Sequence, residues 1–259
     1  MVGDNNYSLL EKDNWLERNI VFMISDITEY DMRRAGLSIS KEDHLLPEDV
    51  IKQLESMPKK EADIAIGKRQ LKDAKFKTSL MEGFRKYRLK FGEMNELSND
   101  DIISVKKDAI FTKKYCEITV LGENIEFREK NSYQARLYLN DLEFYWKYTG
   151  ELDVKGIRDE KIQLHQDFLI HVIWKVMEFL GSYDYDNGLK YLVNFMNDYK
   201  FKRLPIEYYR ELNQSSEYTY MIHEQPETSS YLDEVYKPFV MGHYNYRNIL
   251  VPLMNIFTK

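Results

Sequence analysis

Three features of the amino-acid sequence predict an α+β fold. Short apolar runs broken by turn residues lie between Ile102 and Tyr148, an amphipathic stretch runs from Lys60 to Phe91, and helical spacing takes over at about Asp159. Strands and helices that occupy separate stretches, rather than alternating, indicate α+β organisation. The expected architecture is an antiparallel sheet with helices on one face, followed by a mainly helical C-terminal region. The expected organisation is an N-terminal arm over residues 1–18, an α+β domain over 19–158 and a mainly helical region over 159–259.

Residues 1–18 are polar, with Leu9, Leu10, Trp15 and Leu16 scattered among them, and are read as a short helix or arm. Asn19–Ser25 (NIVFMIS) is nearly continuous in apolar residues, the pattern of a strand buried on both faces. Residues 26–46 have no clear period and are read as a turn and a short helix. Pro47 opens a helix, since proline suits the first helical position and Glu48 and Asp49 suit the positive end of the helix dipole. Met57-Pro58 closes it. A long helical stretch follows, in which Phe76, Leu80, Phe84, Tyr87 and Phe91 recur at three- and four-residue intervals as a core stripe. Gly67 is a candidate bend in it. Lys68, Lys72 and Lys75 share one of its faces.

After a polar loop, Ile102–Val105 and Ala109–Phe111 flank Lys106, Lys107 and Asp108 in the manner of a β-hairpin. Asp108 then sits at or next to the turn. Tyr115–Leu121, Ile125–Arg128, Tyr133–Leu139 and Leu142–Tyr148 are read as strands of an antiparallel meander, with one turn at Lys130–Ser132. Gly150 and Gly156 mark its end. Lys161–Leu180 and Gly188–Tyr199 are read as helices, and Ile249–Phe257 as a docked apolar tail.

Composition narrows the function classes. The chain has 259 residues, 43% hydrophobic and 14% aromatic, enough for a sizeable core. Its single cysteine, Cys116, excludes an intramolecular disulfide and suits a reducing, cytoplasmic setting. Cys116 lies in an apolar stretch and is expected to be buried and inert. The five histidines show no metal-ligand spacing. No uninterrupted apolar window is long enough for a membrane span. The net charge is −6, yet Lys59–Lys90 alone carries +7, leaving −13 elsewhere. That asymmetry fits either one cationic face for phosphates or a solvated lysine-rich helix.

Asp26, Glu29 and Asp31 follow the first buried strand, and Asp108 sits at a hairpin tip. Two such acids can hold a divalent cation between them, or both can be solvated turn residues, since Asp is common in turns.

Tyr30–Ile39 (YDMRRAGLSI) resembles the first palm motif of family B DNA polymerases, an Asp, two variable residues, Ser-Leu-Tyr-Pro and Ser-Ile. Asp31, Ser38 and Ile39 match it, while Arg33 to Leu37 depart from its middle. Lys106–Phe111 (KKDAIF) resembles the third motif, Asp-Thr-Asp-Ser before two apolar residues. Asp108 matches the second Asp, and Lys106 replaces the first. Lys130 and Tyr133, then Lys155, Gly156 and Ile157, follow the order of the family's basic segment ending in Tyr and its Lys-Gly-apolar segment. The similarity covers about residues 20–180, and the second motif, with its Tyr-Gly pair, is not recognisable. A competing alignment sets Asp26–Arg33 (DITEYDMR) against the first motif of family A polymerases, with Asp26 as the metal ligand and Asp31 at the Glu position.

The family B resemblance implies a palm-like sheet, a thumb-like helical C-terminal region and template-directed nucleotidyl transfer. Asp31 and Asp108 become the catalytic carboxylates and, with Asp26, the ligands of Mg²⁺ or Mn²⁺. Lys68, Arg69, Lys72 and Lys75 become contacts for the incoming dNTP, and Lys130, Tyr133 and Lys155 contacts for a primer-template duplex. The setting it implies is viral or plasmid DNA replication, with another polymerase subunit as a candidate partner and no membrane. The alternative is a palm-like DNA-binding or accessory subunit that has lost catalysis, an outcome that Lys106 and Lys107 favour by repelling a cation.

Overall fold

The computed structural model describes residues 8–140, 142–156, 169–205, 208, 219–222, 225–228 and 245–258. The fold is α+β. Seven strands form an antiparallel sheet in the order β1-β3-β4-β2-β5-β6-β7, with β1 Trp15–Leu16, β2 Phe22–Met32, β3 Ile102–Lys106, β4 Ala109–Thr112, β5 Phe127–Leu139, β6 Leu142–Lys147 and β7 Leu152–Lys155. The chain divides into two compact units, Met1–Arg18 with Asp26–Ser132, and Asn19–Ser25 with Tyr133–Lys259.

In the first unit, four helices lie on one side of the strands: α1 Ala35–Glu42, α2 Glu48–Ser56, α3 Lys59–Lys72 and α4 Ala74–Met94. Tyr30, Met32, Val105 and Ile110 of the strands join the buried α4 stripe Phe76, Leu80, Phe84, Tyr87 and Phe91 in one hydrophobic cluster. The Tyr30 and Phe91 rings lie 5.2 Å apart, and Phe91 and Phe127 4.6 Å. Gly83 lets α4 approach α1, since a Cβ there would fall 2.3 Å from Ile39 Cγ2.

In the second unit, Leu137, Leu142, Phe144 and Val154 pack against Val172, Ile173, Val176 and Met177. These come from a π-helical turn, Leu169–Trp174, running into α5 Lys175–Gly181. Leu192 of α6 (Tyr185–Lys200) and Leu253 of α7 (Val251–Phe257) complete that core. A small hairpin pairs β8 Thr219–Ile222 with β9 Gln225–Thr228. The expected start of a helix at Lys161 and the compositional change at Asp159 lie outside the described residues.

The structure differs from the sequence expectation in five places. Asn19–Ser25, expected to be buried on both faces, is not, since Ile20, Val21 and Ile24 are exposed. The first strand does not stop at Ser25. It continues through Asp26, Glu29 and Asp31 to Met32, because Thr28–Asp31 pair with Ala109–Thr112 of β4. The long helical stretch does not bend at Gly67. It breaks at Asp73, whose extended backbone (φ −126°, ψ 97°) lets its carboxylate accept the Phe76 amide at 2.9 Å as the cap of α4. Lys130–Ser132 is no turn, since β5 is continuous from Phe127 to Leu139. Residues 115–121 form no strand beyond an isolated bridge between Val120 and Glu126. Side chains satisfy that backbone instead: the Tyr30 hydroxyl accepts from the Cys116 amide at 2.8 Å, and Asn95 Oδ1 from the Ile118 amide at 2.9 Å.

Candidate active site

The antiparallel register of β2 on β4 sets Asp31 opposite Ala109. Lys106 and Ala109 pair across β3 and β4, so Lys107 and Asp108 are the two residues of the hairpin turn. The Met32 amide donates to the Asp108 carbonyl at 2.9 Å. Asp31 and Asp108, distant in sequence, are thereby neighbours at one end of two paired strands. Asp31 is buried and Asp108 half-buried.

Burial pushes the Asp31 carboxyl above its ordinary range, the charge of Asp108 pushes it further, and Lys130 and Lys59 pull it partly back. That is the behaviour of two like charges held close at reduced exposure to water. Arg128 of β5 stands 3.8 Å from Asp31 Oδ2 and is half exposed.

A third acid shares this face. Glu29 is two residues before Asp31 on the same strand, and residues two apart on a strand point to the same side. It is 2% exposed. Lys130 Nζ lies 3.0 Å from one of its carboxylate oxygens, and Asn131 Nδ2 donates to the other at 2.8 Å. Burial alone would lower the Lys130 pKa, but the hydrogen bond and charge of Glu29 outweigh it and raise the value. The polar run Lys130-Asn131 thus reads as a turn in the sequence because it answers a buried acid on the neighbouring strand.

The hairpin tip is anchored from behind. Arg88 of α4 is fully buried and donates through Nε to the Leu10 carbonyl at 3.1 Å and through Nη2 to the Lys12 carbonyl at 2.7 Å. Its Nη1 donates to the carbonyl of Lys107, in the turn itself. Burial lowers the Arg88 pKa to about 10, so the guanidinium stays charged at neutral pH.

The remaining candidates fall elsewhere. Asp26 is exposed on β2, five residues before Asp31, and strand alternation turns it to the opposite face. Lys68, Arg69 and Lys72 line a cavity whose walls include neither Asp31 nor Asp108, and exposed Lys75 lies on α4 outside that lining. Lys130 faces the acid pair. Tyr133 and Lys155 belong to the second unit, where both meet Asp153: the Tyr133 hydroxyl donates to it at 2.7 Å and Lys155 Nζ lies 3.1 Å from it. Tyr133 is fully buried with its ring 4.8 Å from that of Tyr145. Sequence reasoning missed Glu29, Arg128, Asn131, Lys59 and Arg88. The period-two spacing of Glu29 and Asp31 was the one available signal, and nothing local marks Arg88.

Asp31 and Asp108 suit a hard cation, since Mg²⁺ takes oxygen ligands and keeps several waters or phosphate oxygens. The mutual repulsion that raises the Asp31 pKa is what such a cation would relieve. Among the described residues, no group of three or more His, Cys, Asp or Glu side chains is arranged to hold a metal.

The family model described as bacteriophage PBS1 gene 130 protein matches residues 4–259. No curated protein matches the chain by sequence. Among solved structures, the family B DNA polymerase from the hyperthermophilic archaeon Pyrobaculum calidifontis is similar, with a TM-score of 0.51 and 12% identity, over 92% of this chain and 45% of the polymerase. The chain thus spans less than half of that polymerase, and the likeness is one of fold.

Proposed function

The chain belongs to the bacteriophage PBS1 gene 130 protein family, and from its polymerase-like fold and the neighbouring Asp31 and Asp108 we propose that it is a template-directed nucleotidyltransferase. In this reading it acts on a primer-template duplex with dNTP and Mg²⁺ or Mn²⁺. The observation that carries the reading is that Asp31, at the end of β2, lies next to Asp108 in the β3–β4 turn, with the Asp31 carboxyl raised by burial and by Asp108.

Asp31 and Asp108 would hold two divalent cations, one of which would activate the attacking 3′-hydroxyl while the other would offset charge on the leaving pyrophosphate. The chain's own cations handle the rest. Lys130, fixed by Glu29, and Lys59 and Arg128 all act on the acid pair electrostatically, and they are the side chains placed to meet nucleotide phosphates. Positive charge held in advance near transferring phosphoryl oxygens lowers the barrier, because nothing must reorganise as the bond breaks.

A second reading is a palm-like DNA-binding or accessory subunit without catalysis. It is favoured by Arg128, which stands 3.8 Å from Asp31 where a cation would otherwise bind, and by Lys106 at the position of the family's other acid. Primer extension in Mg²⁺ and in Mn²⁺ separates the two. Extension by the wild type, lost by at least ~100-fold in Asp31→Asn and Asp108→Asn, supports the enzyme. Salt-sensitive duplex binding that ignores divalent cations, with no extension, supports the accessory role.

A further inference from the structure

The helical layer of the first unit carries a second recessed surface. Leu46, Val50, Leu54, Met57 and Ile66 line a cavity of about 590 Å³, and its border carries three cations, Lys68, Arg69 and Lys72 of α3, against one acid, Asp73. All three cations are exposed. Four other cations in this unit are matched with carboxylates, Lys41 with Glu55 at 2.7 Å, Lys52 with Glu48 at 2.9 Å, Lys86 with Asp43 at 2.6 Å and Arg85 with Asp13 at 2.8 Å, whereas Lys90 and Lys114 meet backbone carbonyls. Among the described residues, none of the three cations at the cavity joins such a pair. Arg69 instead lies 5.4 Å from the centroid of the Phe76 ring. The same helix presents Ile64 and Leu71, 47% and 88% exposed, seven residues apart and so on one side of it. Neither lines the cavity, and single exposed apolar residues need no explanation.

We infer that this groove docks an amphipathic helix of a partner protein, with apolar side chains against Leu54, Met57 and Ile66 and carboxylates against Lys68, Arg69 and Lys72. Helix-in-groove recognition uses apolar anchors at i, i+3, i+4 and i+7, and the sign of the rim selects an acidic partner. A nucleotide or a DNA duplex fits this surface poorly. Phosphates gain nothing from an apolar floor, and neither acid of the candidate active site lines the cavity.

The test is fluorescence anisotropy of the full chain with a labelled synthetic helical peptide, Leu at i, i+3, i+4 and i+7 and Glu elsewhere. The expected result is saturable binding that weakens ~10-fold in a Lys68→Glu/Lys72→Glu double variant. The thermal midpoint of that variant stays at the wild-type value, because both side chains are exposed. The inference is overturned by absence of saturable binding, by wild-type affinity in the double variant, by equal binding of a Leu-free Glu peptide, or by displacement with dATP or duplex DNA. Primer extension plays no part in this readout, so failure of the nucleotidyl-transfer reading leaves it standing.

Discussion

Asp31 is held in the folded chain at a disadvantage to itself. Its ordinary carboxyl pKa is 3.8, and burial followed by the charge of Asp108 raises it. The folded state therefore binds a proton more readily than the unfolded state. The penalty is absent below the unfolded value, grows as pH rises between the unfolded and folded values, and is fully present above the folded value. Asp31→Asn should accordingly stabilise the fold at pH 7 by about 1 kcal/mol, or roughly 2–4 °C in thermal midpoint. A lower midpoint in that variant would mean that Arg128 already overcompensates the acid. Cys116 gives a second prediction of the same grain. Burial pushes its thiol up to about 12, so in the folded chain it should react with an aromatic disulfide at pH 8 far more slowly than in urea. Rapid labelling of the native protein would place the thiol at the surface.

At the scale of elements, the hairpin β3–β4 can present Asp108 only if its tip is fixed, and Arg88 supplies the fixing. One guanidinium satisfies carbonyls of Leu10, Lys12 and Lys107 from inside the core. Replacing it by Met leaves three acceptors short of a donor, so Arg88→Met should lower stability by about 3 kcal/mol, measured by urea unfolding. Arg88→Lys should fall between, since an ammonium lacks the planar fork that reaches several carbonyls at once. An Arg88→Met chain as stable as the wild type would show that the tip is held by its strand pairing alone. The same elements show what a sequence can disclose. The stripe on α4 and the Asp108 hairpin were legible, because period and turn chemistry are local. The extension of β2 to Met32 and the continuity of β5 were not. Each looks polar on its own: β2 is carried on by its pairing with β4, and Lys130 and Asn131 of β5 answer the buried Glu29. Arg88 resembles any other cation of a basic helix until the carbonyls it serves are in place.

For the whole molecule, the proposed function makes charge distribution decide how nucleic acid would be met. The net charge is −6, and the +7 between Lys59 and Lys90 is set against −13 in the remainder. If that entire stretch tracked phosphates, binding would fall very steeply with salt. The geometry divides the stretch instead. Lys59 acts on the acid pair together with Lys130 and beside Arg128, whereas Lys68, Arg69 and Lys72 border the apolar cavity. Arg85 and Lys86 are committed to Asp13 and Asp43, and Arg88 is buried. Each phosphate neutralised on a duplex contributes a slope of about −0.9 to log K against log salt. Three cations at the candidate active site therefore predict a slope of roughly −3 for primer-template binding. The Lys68→Glu/Lys72→Glu variant should keep that slope, while Lys130→Gln should reduce it by about one. Titrations of a labelled duplex at several salt concentrations give both numbers. A slope near −7 that collapses in the Lys68→Glu/Lys72→Glu variant would assign all of α3 to the duplex and leave no cationic rim for a protein partner.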